Sequence, residues 1–330
     1  RIGVDKVAAS LLHSSPPWVL AALGLMAASM VLRGVAWTHI LRAALPGVAV
    51  RYVDALQGTF IGVLMSATLP ARLGEPARAV IVSRRLGHTR ERLPVVLGTL
   101  VSQTILNLVA LVILGVVMFS TVGYFSGHHG ALILFTIAPL AALAAVIVLP
   151  MIVRPGAVSR SSRMHAVLRQ IRGALVQVRA GLRVFRSPRE GSISAVAQLS
   201  AWALQWASCF VLLVAFGLDD QAGIGAAAAV LFAVNVTAVL PATPSNLGVF
   251  QAACVAVLSG AYGVSSADAL GYGIVLQAVE IATAVIMGMP ALLAEGLSWK
   301  DVRLRALQTA PVQLRTGNRD LERSGYESEA

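Results

Sequence analysis

The sequence predicts an all-α polytopic membrane protein, a helical bundle containing two inverted re-entrant hairpins that are each broken by a polar turn. Three observations lead there. Of the 330 residues, 57% are hydrophobic and only 12% charged, about half the charge a water-soluble domain carries. Several apolar runs reach the ~20 residues that cross a bilayer as helix, and none alternates as a barrel strand would. Two apolar segments are also interrupted in the same way. Leu69-Pro-Ala-Arg-Leu-Gly-Glu-Pro-Ala-Arg78 and Leu240-Pro-Ala-Thr-Pro-Ser-Asn-Leu-Gly248 both run from Leu-Pro-Ala through a polar turn and Leu-Gly into a helix. Paired interruptions in two halves of a chain point to a binding site near the bilayer midplane.

The elements follow in order. Residues 1–17 form a weakly amphipathic flank closed by Pro16-Pro17. Because residue 1 is Arg, the expectation is a fragment that lacks an earlier span. The transmembrane domain is expected over 18–296. Its first span, Trp18–Leu41, is interrupted by Arg33, which must snorkel or face a partner inside the bundle. The first hairpin has Tyr52–Thr68 as its leading arm, Leu69–Glu75 as its turn, and a returning helix from Pro76, where the missing N–H costs nothing. A span over Val95–Thr121 carries Gln103 and Asn107 four residues apart, on one face, where they suit interhelical hydrogen bonds. An aliphatic span is expected at Ala131–Val153. In 154–190 arginines surround a seam of Met164, Leu168, Ile171, Leu175, Val178, Leu182 and Phe185, the pattern of a basic amphipathic helix at the cytoplasmic surface. Ser192–Phe216 spans again and ends in the acidic Gly217–Asp220 loop. Ile224–Val239 and Gly248–Tyr262 form the second hairpin. Ala269–Leu293 closes the bundle, with Gln277 and Glu280 near its middle and a polar tail at 297–330.

The charges assign partners and orientation. The net +11 is carried mostly by arginines in short connections, which marks cytoplasmic loops and anionic headgroups rather than nucleic acid. The bacterial-type cell membrane, with the C-terminus cytoplasmic, is the expected location. The two cysteines, Cys209 and Cys254, and the six histidines have no metal-ligand or disulfide spacing, so neither a metal nor a cofactor is expected. The first turn brings Arg72, Glu75 and a helix N-terminus together, a constellation suited to an anion. Arg72 and Arg78 would neutralise a phosphate while Glu75 orients Arg72.

At these residues the chain resembles the lysylphosphatidylglycerol synthase transmembrane-domain family of flippase-like membrane proteins. The resemblance rests on the first motif with Arg84-Arg85-Leu86-Gly87, and on Pro241-Ala-Thr-Pro-Ser-Asn-Leu-Gly-Val-Phe250 with Tyr262-Gly263-Val264; it covers about 18–296. It implies a domain that translocates or helps modify lipids with charged or sugar headgroups. By position it carries over Arg72, Gly74, Glu75 and Arg78, and Pro241, Pro244 and Gly248. The chain departs from the family pattern at Pro244-Ser245-Asn246, at Gln251, and at neutral Gln103, Thr104 and Asn107. Candidate headgroup-binding residues are therefore Arg72, Gly74, Glu75, Arg78, Pro241, Thr243, Pro244, Ser245, Asn246, Gly248 and Gln251. Arg33, Gln103, Asn107, Gln277 and Glu280 are candidate intramembrane polar residues. The expected function is translocation of an anionic phospholipid or polyprenyl-linked glycan. The alternative is a membrane-embedded subunit or scaffold for a separate lipid-modifying enzyme of aminoacyl or glycosyl transfer. The sequence holds no catalytic motif and no soluble catalytic domain.

Overall fold

The computed structural model describes residues 15–68, 74–121, 180–238 and 246–295, with side chains in the second stretch as far as 117. Among the described residues the chain is helical and has no strand. The helices are α1 (Pro16–Ala44), α2 (Tyr52–Thr68), α3 (Gly74–Arg85), α4 (Thr89–Thr121), α5 (Pro188–Ala215), α6 (Asp219–Thr237), α7 (Val249–Tyr262) and α8 (Ser266–Ala294), with a 3-10 turn at Leu182–Arg186. Five of them, α1, α4, α5, α6 and α8, are long and apolar enough to cross a membrane. The chain is a multi-pass integral membrane protein.

Helices α1 and α5 pack along their whole length in antiparallel fashion. At one end the Ser15 N–H donates to the Ala215 carbonyl (2.9 Å), and at the other His39 Nδ1 meets Glu190 Oε2 (2.6 Å). Between them Ser208 Oγ donates to the Ala22 carbonyl (2.9 Å), a bond that spends a hydroxyl where water is absent. Tyr272 ties α8 to the same layer by donating to the Cys209 carbonyl (2.9 Å). Leu212, Leu213, Leu231, Leu258, Tyr272 and Leu276 are fully buried at the centre of this packing. The ends of the bundle differ in charge. Arg42, Arg51, Arg84, Arg85, Arg90, Arg92, Arg183, Arg186 and Arg189 lie at one, and Asp219, Asp220 and Asp268 at the other.

Two short helical hairpins pack against this frame. In the first, Gly58, Gly62 and Ser66 recur every four residues on α2 and face Gly74, Arg78 and Val82, which recur likewise on α3. A Cβ at Gly74 would fall on the Gly62 carbonyl and Ser66 Oγ, and one at Gly58 would come within 2.5 Å of Val82 Cγ2. Small residues at this spacing let two backbones approach closely. The hairpin opens at the arginine-rich end, where Arg85 Nη1 lies 3.3 Å from Asp54 Oδ1. The second hairpin, α6 and α7, opens at the opposite end, where Gln221 Nε2 donates to the Gly263 carbonyl (3.2 Å).

Helix α8 shows that the two hairpins are inverted. Arg85, at the mouth of the first, also pairs with Glu295, just past the C-terminus of α8. The mouth of the second runs through Val264 straight into the N-terminus of α8. The two mouths are thus separated by a helix of 29 residues, about 43 Å at 1.5 Å per residue. Helix α2 crosses α8 at Gly288, where a Cβ would come within 2.5 Å of Leu64 Cβ. Helix α7 crosses it at Gly273, where a Cβ would lie 3.1 Å from Cys254 Cβ. Glu280 sits between these crossings.

Several boundaries differ from the sequence expectation, for physical reasons. Gly74 and Glu75 are already helical, ahead of the expected helix start at Pro76, and Gly74 packs directly against Gly62; Pro76 is tolerated near the start of the helix. Helix α4 begins at Thr89 and runs through Pro94. Helix α6 takes up Asp219 and Asp220, expected in a loop, as its first turn, and breaks at Gly223 (φ 42°, ψ −173°). Carboxylates there complement the positive N-terminal dipole. At Leu182–Arg186 the chain forms a 3-10 turn rather than the expected α-helix, and it buries Val184 while leaving Phe185 of the expected seam exposed. The rest of the basic segment, the expected span at Ala131–Val153, and the flanks 1–14 and 296–330 lie outside the described residues.

Candidate functional site

Arg78 is the anchor of the site. It is 7% exposed and stacks its guanidinium 4.7 Å above the ring of Trp37, which is itself held by a bond from Trp37 Nε1 to Thr99 Oγ1 (2.9 Å). Gly62 leaves room for the Arg78 stem, since a Cβ there would stand 3.0 Å from Arg78 Cδ. The guanidinium donates to Glu75, which was expected to orient Arg72. Arg78 Nε is buried with no hydrogen-bond partner. A cation fixed over an aromatic face with an unspent donor is prepared to meet a further acceptor.

Arg33 enters the same neighbourhood from the middle of α1. It donates to Gln205 Oε1 and lies 5.8 Å from the Trp202 ring, and its Nε is likewise buried without a partner. Glu280, Arg78 and Glu75 are the charges that act on it. Arg33 and Glu280 are therefore electrostatic neighbours, although no ion pair joins them. Two arginines and two glutamates from α1, α3 and α8 form one charged centre, and the other polar side chains around it among the described residues are neutral.

The expected polar residues of α4 bond across helices. Gln103 Nε2 donates to the Arg33 carbonyl (3.3 Å) and to Gln198 Oε1 (3.4 Å), while Asn107 Oδ1 accepts from Gln198 Nε2 (2.7 Å) and Trp202 Nε1 (3.0 Å). Gln103 Oε1 remains buried and unpartnered. Gln198, Trp202 and Gln205 carry half of this network, a role that the sequence reading did not give them. Their signal is spacing: three and four residues apart on α5, they share a face and match the Gln103–Asn107 pair on α4.

At the second hairpin, Gln251 Oε1 accepts the Gly248 N–H (2.7 Å), capping α7, and Gln251 Nε2 donates to Gln277 Oε1 on α8. Asn246 and Gly248 have φ of 53° and 86°, a left-handed backbone that Asn tolerates and glycine favours. Gln251 and Gln277 are thus joined to each other. Arg72, Pro241, Thr243, Pro244 and Ser245 lie outside the described residues. Among the described residues no group of three metal-ligating side chains occurs.

The arrangement defines a class: a multi-pass helical membrane protein with two oppositely opening hairpins and a charged centre between transmembrane helices. A sequence model of the Lysylphosphatidylglycerol synthase TM region family matches residues 1–288, and the chain belongs to that lipid-related membrane family. Comparison with curated proteins and with solved structures gave no match.

Proposed function

We propose that the protein is a translocase for a lipid bearing an anionic headgroup, a phospholipid or a polyprenyl-linked glycan. The observation that carries this reading is the pair of hairpins opening at opposite ends of α8, with Arg33, Glu75, Arg78 and Glu280 at the level between them. Both hairpins are re-entrant in this reading, so that their turns, 69–75 and 241–248, meet near mid-bilayer. Arg72 and Arg78 offer guanidinium forks to the phosphate, and the N-termini of α3 and α7 add dipoles of the same sign. Residues 241–248 contact the headgroup from the other side, and the acyl chains stay in lipid. In this reading the arginine-rich end faces the cytoplasm, the C-terminus lies on that side, and the membrane is the cell membrane.

Purified protein reconstituted into vesicles with a panel of fluorescent anionic, neutral and glycosylated lipids tests this reading. Movement of an anionic class across the bilayer, with neutral lipids left behind, is the expected outcome. Movement of no lipid would defeat it and favour a scaffold for a separate lipid-modifying enzyme.

A further inference from the structure

Glu280 occupies the midpoint of α8, between the glycine notches that receive the two hairpins. At 100° per residue it shares a face with Gly273, seven positions away, and stands about 80° around the helix from Gly288. It is half-buried, and no described residue gives it a hydrogen bond or an ion pair. The titratable groups within electrostatic reach of it among the described residues are Arg33 from α1, the thiols of Cys209 on α5 and Cys254 on α7, and the hydroxyl of Tyr272 on its own helix. Arg78 and Glu75 act on Arg33 from α3, and α2 brings only Tyr52 and Asp54, both at the arginine-rich end. Two neutral thiols and a phenol cannot balance a carboxylate. Arg33 can, yet it is held back by Gln205 and Trp202 with its Nε unspent. A carboxyl group placed so deep has two ways to shed its charge cost: take up a proton, or close on the arginine.

We propose that Glu280 is a proton-binding site that alternates between these two states. Its carboxylate accepts one proton from the aqueous phase to become a neutral acid, and releasing that proton restores the carboxylate that attracts Arg33. Because each hairpin crosses α8 beside it, a movement of either hairpin changes how well Arg33 and water reach the group. Its use as the coupling step of transport rests on the translocase reading; the protonation itself does not.

The test is an infrared difference titration of the full chain in detergent, following the carbonyl stretch of a protonated carboxylic acid. Wild type shows a band that titrates within the pH range of the folded protein and is lost in Glu280→Gln. Glu280→Asp keeps a displaced band, which guards against a misfolded Gln variant. Arg33→Gln displaces the titration, and the exposed Arg84→Ala leaves it in place. Identical spectra for wild type and Glu280→Gln would overturn the proposal. In vesicles under an imposed pH gradient, wild-type lipid movement follows the gradient and that of Glu280→Gln does not. Titration without lipid movement in wild type would leave the proton site standing and remove the translocase. Lipid movement without a titrating carboxyl would do the reverse.

Discussion

Trp37 shows how one residue can position a charge inside a membrane. Its indole is fully buried, donates to Thr99 and supplies the face on which Arg78 rests. Arg78 then keeps its head at a fixed height through Glu75 and Gly62. The tolerance for change is smallest at Gly74, where any Cβ collides with the Gly62 carbonyl. Gly74→Ala therefore forces α2 and α3 apart, at a cost of roughly 1–3 kcal/mol by analogy with overpacked cores. A lower midpoint in thermal unfolding of the detergent-solubilised variant is the expected result, and Gly24→Ala, which meets nothing within 4 Å inside α1, serves as the unhindered control whose midpoint does not fall. An unchanged midpoint for Gly74→Ala would mean that the close approach is not stabilising. At this scale the sequence was legible where a polar atom stands in an apolar run, as at Arg33, Gln103, Asn107 and Glu280. It was not legible at Trp37 or Gly62, because their importance lies in what packs on them from 41 and 16 residues away.

Among the elements, the inverted hairpins organise the bundle. Each rests on α8 at a glycine. The repeated Leu-Pro-Ala and Leu-Gly punctuation made both hairpins legible, since proline and glycine interrupt helices for local reasons. The exact starts of α3 and α6 were not legible. Gly74 joins its helix through a tertiary contact, and Asp219 opens a helix that breaks again at Gly223. If the turns meet at mid-bilayer, cysteines introduced at Ala71 and Ala242, with Cys209 and Cys254 replaced by serine, form a disulfide under mild oxidation in membranes. Absence of that crosslink, with each thiol modified by an impermeant reagent from its own aqueous side, would show two separate surface loops instead.

Taken whole, the molecule joins an asymmetric charge distribution to an almost uncharged interior. Arginines gather at one end while Asp219, Asp220 and Asp268 lie at the other, and the intramembrane charges reduce to Arg33, Glu75, Arg78 and Glu280 among the described residues. Fold class was legible from composition alone, because only a membrane tolerates so few charges over so many residues. The charged centre was legible only in its members. That Arg33 leans on Trp202 and Gln205 rather than closing on Glu280 depends on the antiparallel register of α1 and α5, which no local pattern encodes. Arg72 is the residue on which the functional reading turns, since a guanidinium beside a helix N-terminus offers phosphate a planar fork and an aligned dipole together. The most direct measurement is lipid translocation in vesicles reconstituted at matched protein density with wild type, Arg72→Ala, Arg72→Lys and Arg84→Ala. A lost charged hydrogen-bond partner predicts a roughly 10- to 100-fold slower rate in Arg72→Ala, partial recovery in Arg72→Lys, and a rate close to wild type in Arg84→Ala. Wild-type rates in Arg72→Ala would contradict headgroup binding at this turn and leave its arginine as a marker of membrane orientation.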